Sequence, residues 1–217
     1  MGAAEAAATP LLVACALRIE QAALRSAGRG ARGARPCRHT LLRTGMGPRA
    51  AERAVGRALE RPGMERAAVL ATGFCAGLVP GMHPGDLVVA DQTRDPHGTV
   101  SCTGTALLAE ALARAVPGRT VHIGPLTGSD HVVRGQERAQ LRATGAIAVD
   151  MESAATLWSA TGGGSRPVAA VRVIVDAPEH ELVRIGTVRG GISAFRVLRA
   201  VLPAFYDWHR SSLLPRR

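Results

Sequence analysis

The stretch AIAVDMESAATLW, residues 146–158, gives the strongest indication of the fold of this chain. Its first four residues are apolar and predict a buried strand, which runs directly into Asp150, Met151 and Glu152. Small residues that favour a helix follow. Open α/β sheets bind ligands beyond the carboxyl ends of their strands, so a carboxylate at this point indicates a ligand site. A carboxylate only accepts hydrogen bonds, and the two hydroxyls of a sugar would suit Glu152.

On both sides of this stretch, predicted strands alternate with predicted helices. We predict strands over residues 11–17, 40–43, 67–71, 87–90, 121–126, 146–149 and 168–175, and helices over 20–26, 48–59, 105–115, 134–143 and 192–208. Residues 28–36 form a predicted Gly/Arg loop. The pattern predicts a single-domain, three-layer α/β fold with a mostly parallel, twisted central sheet flanked by helices. We expect a flexible N-terminus over 1–10, one domain over 11–210 and a basic tail over 211–217.

The composition is that of a globular protein with an excess of arginine. Of the 217 residues, 47% are hydrophobic and only 3% are aromatic, which predicts a core of Ala, Val and Leu. The net charge of +10 would suit nucleic acid or an anionic membrane surface. An Arg-for-Lys, GC-rich coding bias is the preferred explanation of this charge. Because no nucleic-acid motif accompanies the charge, a nucleic-acid partner is not expected.

The cysteines and the N-terminus indicate the compartment. Cys15, Cys37, Cys75 and Cys102 form no CxxC pair and no zinc spacing, so no metal is expected. Cys15 and Cys75 lie in apolar runs and are predicted to be buried thiols. The N-terminus does not resemble a secretory signal, and no apolar run reaches the roughly 18 residues of a membrane span. We expect a cytoplasmic protein, with peripheral membrane contact as an alternative.

Several predicted strands end in residues that suit ligands. These ends are Thr44-Gly45-Met46-Gly47, Thr72-Gly73, Thr127-Gly128-Ser129-Asp130, Asp150-Met151-Glu152 and Asp176. Glycine lets backbone N–H groups approach a ligand closely, and Ser or Thr adds a hydroxyl. A glycine after a strand is usually only a turn, so each end alone is weak evidence. Together they predict one composite pocket with carboxylates at Glu152 and Asp176 and a third at Glu20.

The order of these motifs carries a family resemblance. The motifs are Ala16-Leu17-Arg18-Ile19-Glu20, Leu42-Arg43-Thr44-Gly45-Met46-Gly47, residues 71–78 with 84–89, Val149-Asp150-Met151-Glu152, and residues 172–176. They resemble, in turn, the N-terminal motif and glycine loop of methylthioadenosine/adenosylhomocysteine nucleosidases, the central strand–loop–strand, the ribose-binding motif and the strand with the purine-protonating Asp. In this order they resemble the nucleoside phosphorylase and nucleosidase superfamily, with the purine/uridine phosphorylase fold, over residues 11–208.

The resemblance implies cleavage of the N-glycosidic bond of an adenine nucleoside. Asp176 would protonate the purine at N7 as general acid, Glu20 would activate water, and Glu152 would bind the 2′- and 3′-hydroxyls. The remaining expected substrate-binding residues are Met151, Asp150, Phe74, Gly73, Thr72, His131 and Val132. Water is preferred as the nucleophile. If phosphate is the nucleophile instead, it would bind at Gly45, Gly47 and Arg43, with Arg29, Arg32 and Arg35 nearby. No metal or organic cofactor is implied, and inorganic phosphate is the one co-substrate considered.

Two departures from the nucleosidase pattern bear on the substrate. Val175 stands where the nucleosidases usually have Ser before the catalytic Asp, and the loop over 91–104 is short. With the apolar stripe of the last predicted helix, these features resemble hopanoid-associated members, which act on adenosylhopane. The expected substrate is therefore adenosylhopane, followed by methylthioadenosine or adenosylhomocysteine and then futalosine. The resemblance also implies a homo-oligomer, with a dimer favoured.

Each candidate side chain also has a purely structural explanation. Glu20 fits a solvated helix face, Asp176 fits a turn cap, and Glu152 fits a salt bridge to an arginine such as Arg172. Met151 fits the core and His131 an exposed loop. The apolar stripe over 192–208 fits the core, or else a membrane-facing surface. A non-catalytic, basic module that binds nucleic acid or membranes on the same fold is the alternative of a different class.

Overall fold

The computed structural model describes residues 9–28, 39–178 and 186–213, with side chains of the helix that starts at Gly186 described from Ser193 onward. Within this part, the strands are β1 Leu11–Cys15, β2 His39–Arg43, β3 Ala68–Gly77, β4 Leu87–Asp95, β5 Gly98–Ser101, β6 Val121–Gly128, β7 Ala148–Asp150 and β8 Val168–Asp176. The helices are α1 Arg18–Gly28, α2 Pro48–Leu59, α3 Thr105–Ala115, α4 Gln136–Ala143, α5 Ser153–Gly162, α6 Gly186–Ala200 and α7 Leu202–Ser212. The expectations for residues 1–8, Arg29, Arg32, Arg35, Cys37, the loop over 29–36 and the tail over 214–217 lie outside the described residues.

One mixed sheet organises the chain. Its strand order is β2-β1-β3-β7-β6-β4-β5, and β8 pairs with both β3 and β4. Because β8 joins β3 to β4, the strands β3, β8, β4, β6 and β7 close into a barrel-like ring. Five pairings are parallel, whereas β3–β7, β4–β5 and β4–β8 are antiparallel. The predicted α/β fold with a mostly parallel sheet and flanking helices is confirmed; the closure by β8 was not predicted.

Strand β1 shows why both faces of the sheet need helices. Its five residues are all buried, as expected for a strand covered on both sides. Successive side chains point to opposite faces. Leu11, Val13 and Cys15 pack in one core with residues of α1, α3, α6 and α7. Leu12 and Ala14 pack in a second core with residues of α2 and α5.

Two predicted strands end at least five residues too early. Strand β3 extends to Gly77, six residues beyond its predicted end, because Thr72 to Gly77 remain paired with β8 and then with β7. Strand β4 extends to Asp95 and turns back into β5. The short 91–104 segment is therefore largely a β-hairpin. Its polar sequence gave no apolar run from which a strand could be predicted.

The predicted single helix over 192–208 is wrong, because it is two helices. Helix α6 ends at Ala200 and α7 begins at Leu202, with Pro203 in the first turn of α7. Proline lacks the N–H that would continue the hydrogen-bond ladder and disfavours the helical conformation of the preceding residue. The break lets both helices pack against the sheet.

The apolar stripe over 192–208 belongs to the core where its side chains are described. Leu198, Val201, Leu202, Phe205 and Trp208 are almost fully buried in the core that contains β1. This placement excludes them from a membrane-facing surface. Among the described residues, no helix combines the length and apolarity that crossing a bilayer requires.

Candidate active site

A cavity of about 280 Å³ lies at the carboxyl ends of β1, β3, β7 and β8. The register of the sheet explains why distant residues meet there. Ala76 of β3 lies opposite Val149 of β7 on one side and opposite Asp176 of β8 on the other. Glu20, Glu152 and Asp176 all line the cavity. The three carboxylates predicted to converge therefore do so.

Glu20 is buried and held by backbone donors. Its Oε2 accepts hydrogen bonds from the N–H groups of Ala16 (2.9 Å) and Leu17 (2.8 Å), and its Oε1 accepts one from Phe74 (2.8 Å). Glu20 is the third residue of α1, from which a carboxylate reaches back to the residue before the helix. A carboxylate offers about four acceptor positions, so one remains for a ligand or water. The solvated-helix alternative for Glu20 is wrong.

Glu152 keeps one carboxylate oxygen available to the cavity. Its Oε1 accepts a hydrogen bond from Gly47 N (2.9 Å). Its Oε2 lies 3.9 Å from Arg172 Nη2, which is too long for a hydrogen bond. Burial raises the pKa of the Glu152 carboxyl, and the positive charge of Arg172 opposes that rise. This carboxylate is thus fixed at one oxygen and able to accept from a ligand at the other.

The Asp150 carboxylate has a structural role, because it forms an ion pair with Arg172. Arg172 Nε lies 2.5 Å from Asp150 Oδ2 and 2.8 Å from Ser153 Oγ, and Nη1 donates to the carbonyl of Thr72 (3.1 Å). Asp150 also accepts a hydrogen bond from Ser153 N at the start of α5 (3.1 Å). By capping α5 itself, Asp150 leaves the side chain of Glu152 free to face the cavity.

Asp176 is paired with an arginine that the sequence did not single out. Nη2 of Arg138 donates to Oδ2 of Asp176, and Nη1 donates to Oδ1 (3.4 Å). Nε of Arg138 donates to the carbonyl of Val133 (3.4 Å). Arg138 also lines the cavity, and both side chains of the pair are mostly buried. The pair places a guanidinium beside the Asp176 carboxyl group in the wall of the cavity.

The apolar and aromatic candidates surround these charges. Met151, Phe74, His131 and Val132 all line the cavity. His131 is held by Asp130 (Nδ1 to Oδ1, 2.7 Å) and by Glu137, and hydrogen bonds from these two carboxylates raise its pKa. With its side chain 58% exposed, His131 lies at the mouth of the cavity.

The glycine-loop candidates act indirectly or lie elsewhere. Gly47 orients Glu152 through its N–H, and Gly45 and Gly47 both have positive φ angles. Gly73 permits a close approach, because a Cβ there would lie 2.5 Å from both Arg172 Nη1 and Glu20 Oε1. Arg43 lines a separate cavity with Arg18 and Arg25. Five of the expected site residues do not line the candidate cavity; they are Thr72, Gly73, Gly45, Gly47 and Arg43.

Metal ligands and reactive thiols were sought among the described residues. Within residues 9–28, 39–178 and 186–213, no group of His, Cys, Asp and Glu side chains could hold a metal ion. Cys15 and Cys75 are buried, as predicted, and burial raises the pKa of the Cys15 thiol to about 12. Burial likewise raises the pKa of Cys75. Both thiols therefore stay protonated and act as small apolar side chains.

Comparison of the sequence with known families decides the relationship. Residues 33–203 match the family model described as the Phosphorylase superfamily. The chain belongs to this superfamily. The superfamily predicted from the order of motifs is thereby confirmed. No curated protein sequence matches this member of the Phosphorylase superfamily.

Solved structures of nucleosidases share the fold of this superfamily member. The 5′-methylthioadenosine/S-adenosylhomocysteine nucleosidase of Neisseria meningitidis, in complex with methylthio-immucillin-A, is 19% identical with a TM-score of 0.75, covering 92% of this chain and 99% of that one. S-adenosylhomocysteine nucleosidase of Streptococcus pyogenes, in complex with 5-methylthiotubericidin, is 21% identical with a TM-score of 0.73 (92% and 96%). Futalosine hydrolase of Helicobacter pylori is 16% identical with a TM-score of 0.75 (92% and 98%). At these identities the likeness establishes the fold.

Sequence reasoning missed Arg138 and considered Arg172 only as a salt-bridge partner of Glu152, whereas its main partner is Asp150. Arg172 stands in an otherwise apolar strand, and a charge in a buried strand indicates an ion-pair partner. That signal was available in the sequence. Arg138 carries no such signal, because it lies among polar residues of a short helix and resembles its exposed neighbours Arg134 and Arg142.

Proposed function

We propose that this superfamily member cleaves the N-glycosidic bond of a 5′-modified adenine nucleoside and releases adenine. The observation that carries the proposal is the convergence of Glu20, Glu152 and Asp176 in one cavity. Its volume lies near the lower end of the roughly 300–1,000 Å³ typical of small-molecule sites. Membership in the Phosphorylase superfamily and the fold shared with nucleosidases support the same reaction.

We propose a task for each carboxylate, and its contacts in the cavity support that task. Glu152, with a free Oε2, binds the ribose hydroxyls, and Met151 packs on the sugar. Glu20 accepts a proton from the attacking water as that water forms its bond to C1′. Asp176, which is paired with Arg138, contacts the purine base. Water is favoured over phosphate as the nucleophile, because Arg43 faces a separate cavity and the described lining residues include only one arginine, Arg138, which is paired with Asp176.

The mouth of the cavity favours an apolar 5′ substituent. Met46 and Val132 line the cavity, yet they are 68% and 64% exposed. Large apolar side chains exposed beside a ligand site suit an apolar ligand group. Adenosylhopane, whose 5′ carbon carries a lipid, is therefore the first substrate we propose, ahead of methylthioadenosine or adenosylhomocysteine and futalosine. The homodimer, peripheral membrane contact and cytoplasmic location stay predictions.

A panel of 5′-substituted adenosines tests the function. We expect the purified protein to release free adenine. The second product should be the free 5′-modified ribose, and not its 1-phosphate, even when phosphate is present. Mass spectrometry of the products identifies the substrate and the nucleophile together. The Glu152→Gln variant serves as the inactive control. If no panel member releases adenine, and the protein instead binds DNA or anionic liposomes in a salt-sensitive manner, the non-catalytic module replaces this proposal.

The raised pKa of Glu152 predicts a pH dependence of substrate binding. Glu152 must be ionised to accept two hydroxyl donors, and burial raises its pKa above the ordinary value of 4.5. As the pH falls through that raised pKa, Glu152 takes up a proton and kcat/KM decreases, so activity is lost at a higher pH than for an exposed carboxylate. A 2′,3′-dideoxy substrate is the control, because its weaker reaction lacks this contact. Equal acid limbs for both substrates would remove Glu152 from ribose binding.

A further inference from the structure

The imidazole of His131 has a carboxylate at each of its two ring nitrogens. Nδ1 lies 2.7 Å from Asp130 Oδ1, and Nε2 lies 2.9 Å from Glu137 Oε1. A neutral imidazole has one N–H group and one lone pair, so it donates to only one of two ionised carboxylates. The doubly protonated imidazolium donates to both. The geometry around His131 therefore fits its charged form.

The neighbouring hydroxyl does not supply a proton to the ring. Oγ of Ser129 lies 3.4 Å from Nδ1 of His131, but it donates its proton to the carbonyl of His131 (2.8 Å). The hydrogen bonds to Asp130 and then to Glu137 raise the pKa of His131 above its ordinary value of 6.5. His131 therefore keeps its second proton to a higher pH than an ordinary histidine.

His131 joins two segments that form the mouth of the candidate cavity. Residues 129–135 connect β6 to α4 and belong to neither a helix nor a strand. Glu137 lies in the first turn of α4. The contact between His131 and Glu137 thus ties this loop to the start of the helix. Because no ladder of backbone hydrogen bonds holds such a segment, its side-chain contacts decide how firmly it is held.

The inner side of the same loop is anchored independently of His131. Val133 is 4% exposed and packs in an apolar cluster that includes Val149 of β7. Nε of Arg138 donates to the carbonyl of Val133 (3.4 Å). Val132 lies between this inner anchor and His131, lines the cavity and is 64% exposed. The position of the Val132 wall therefore depends on the outer tie.

We propose that His131, in its doubly protonated form, is a positioning residue that ties the loop after β6 to α4 and holds the Val132 wall of the cavity in place. Its effect on substrate binding rests on the proposed nucleosidase function, whereas the tie itself does not. The stabilisation from a histidine whose pKa is raised in the folded state is complete below the unfolded-state pKa. It is lost as the pH rises through the folded-state pKa. At that point the loop loosens and the substrate binds more weakly.

Other charged and titratable groups surround His131. Besides Asp130 on its own loop and Glu137 on α4, it shares a second cavity of about 400 Å³ with groups on α2 and the β4–β5 hairpin, namely Arg49, Glu52, Asp95 and His97. In the candidate cavity the corresponding groups are Glu20, Cys75, Arg138, Asp150, Glu152 and Asp176. Histidine is the side chain whose ordinary titration falls between about pH 5 and pH 8, so His97 requires a control.

Steady-state kinetics with an adenine nucleoside from about pH 6 to about pH 9 tests the tie, since the alkaline titration of His131 falls in this range. KM should rise about two- to fivefold as the pH passes the pKa of His131, the factor expected for loss of an exposed charge pair. The value of kcat should change less, because the reacting groups keep their own contacts. Protonation of Glu152 acts in the opposite direction, since it weakens binding as the pH falls.

Three variants separate the charge of His131 from its bulk. His131→Gln should show the raised KM at every pH and no alkaline increase. His131→Arg carries a cation that does not titrate below about pH 12 and should keep the low KM throughout. His97→Gln is the matched control and should keep the wild-type profile, because His97 stacks on Trp158 and does not line the candidate cavity.

Two outcomes of these kinetics would overturn the proposal. An alkaline rise in KM that persists in His131→Gln would show that another group titrates. A His131→Arg protein with the KM of His131→Gln would show that the shape of the imidazole, and not its charge, holds the loop.

NMR of the histidine ring nitrogens gives a readout that does not need turnover. Both ring nitrogens of His131 should stay protonated where an ordinary histidine has lost a proton, and Glu137→Gln should lower the pKa of His131. Ordinary titration of His131 in a protein that releases adenine would overturn the tie alone. Raised titration in a protein that cleaves no adenosine derivative would support the tie and overturn the nucleosidase function.

Discussion

Replacing Glu20 by glutamine is expected to lower the rate of hydrolysis by about 100- to 10,000-fold, the range attributed to a positioned general base. Three backbone N–H groups fix the Glu20 carboxylate, so it does not need to be ordered when water arrives. An amide in its place accepts no proton and turns an NH₂ group toward one of those N–H donors. Release of adenine followed by absorbance, with and without phosphate, measures the effect.

Control variants separate the chemistry of Glu20 from its structural role. Glu110 is exposed on α3 and does not line the candidate cavity, and Glu110→Gln should match the wild type in rate. Glu20→Asp keeps the charge on a shorter side chain and should retain more activity than Glu20→Gln. Urea unfolding of all three variants reports their stability separately. A Glu20→Gln protein that is folded and hydrolyses at the wild-type rate would remove Glu20 from the mechanism.

Replacing Arg172 by methionine is expected to cost about 3–5 kcal/mol of unfolding free energy, as measured for removal of one partner from a buried ion pair. Arg172 is 1% exposed and joins Asp150, Ser153 and the carbonyl of Thr72. Methionine fills much of the volume but leaves the Asp150 carboxylate without its cation. Because that carboxylate also caps α5, the damage should reach Glu152 and the ribose end of the cavity.

A surface arginine supplies the matched control for Arg172. Arg210 Nη2 lies 2.5 Å from Asp207 Oδ1, and both side chains are 50% exposed. Exposed pairs contribute about 0–1 kcal/mol, so Arg210→Met should unfold at nearly the wild-type urea concentration. Adding Asp150→Asn to Arg172→Met should recover part of the lost stability, because the unpaired charge is removed with its partner. An Arg172→Met protein as stable as Arg210→Met would show that the buried cluster does not hold the site together.

The predicted bounds of helices agree with the structure where the local sequence signal is strong. Helices α2 and α3 have their predicted bounds, because each combines an amphipathic repeat with a boundary signal, Pro48 at the start of α2 and Pro117-Gly118 after α3. The second half of β3 and all of β5 were missed, because their strand character depends on pairing with distant strands. The break at Pro203 has a local signal, the proline itself, but the apolar stripe continues across it and alone predicts one helix.

The sequence by itself determined the α/β class, which follows from residue order and apolar patterning. It also determined the superfamily and pointed to the three carboxylates, through the resemblance of its motifs to those of known members. Only the tertiary structure decided the partners of those carboxylates. Arg138 forms an ion pair with Asp176 because α4 packs beside the end of β8. Arg172 forms an ion pair with Asp150 across the closed sheet. Such contacts depend on strand order and register, which arise from pairing among distant segments and leave no local pattern in the chain.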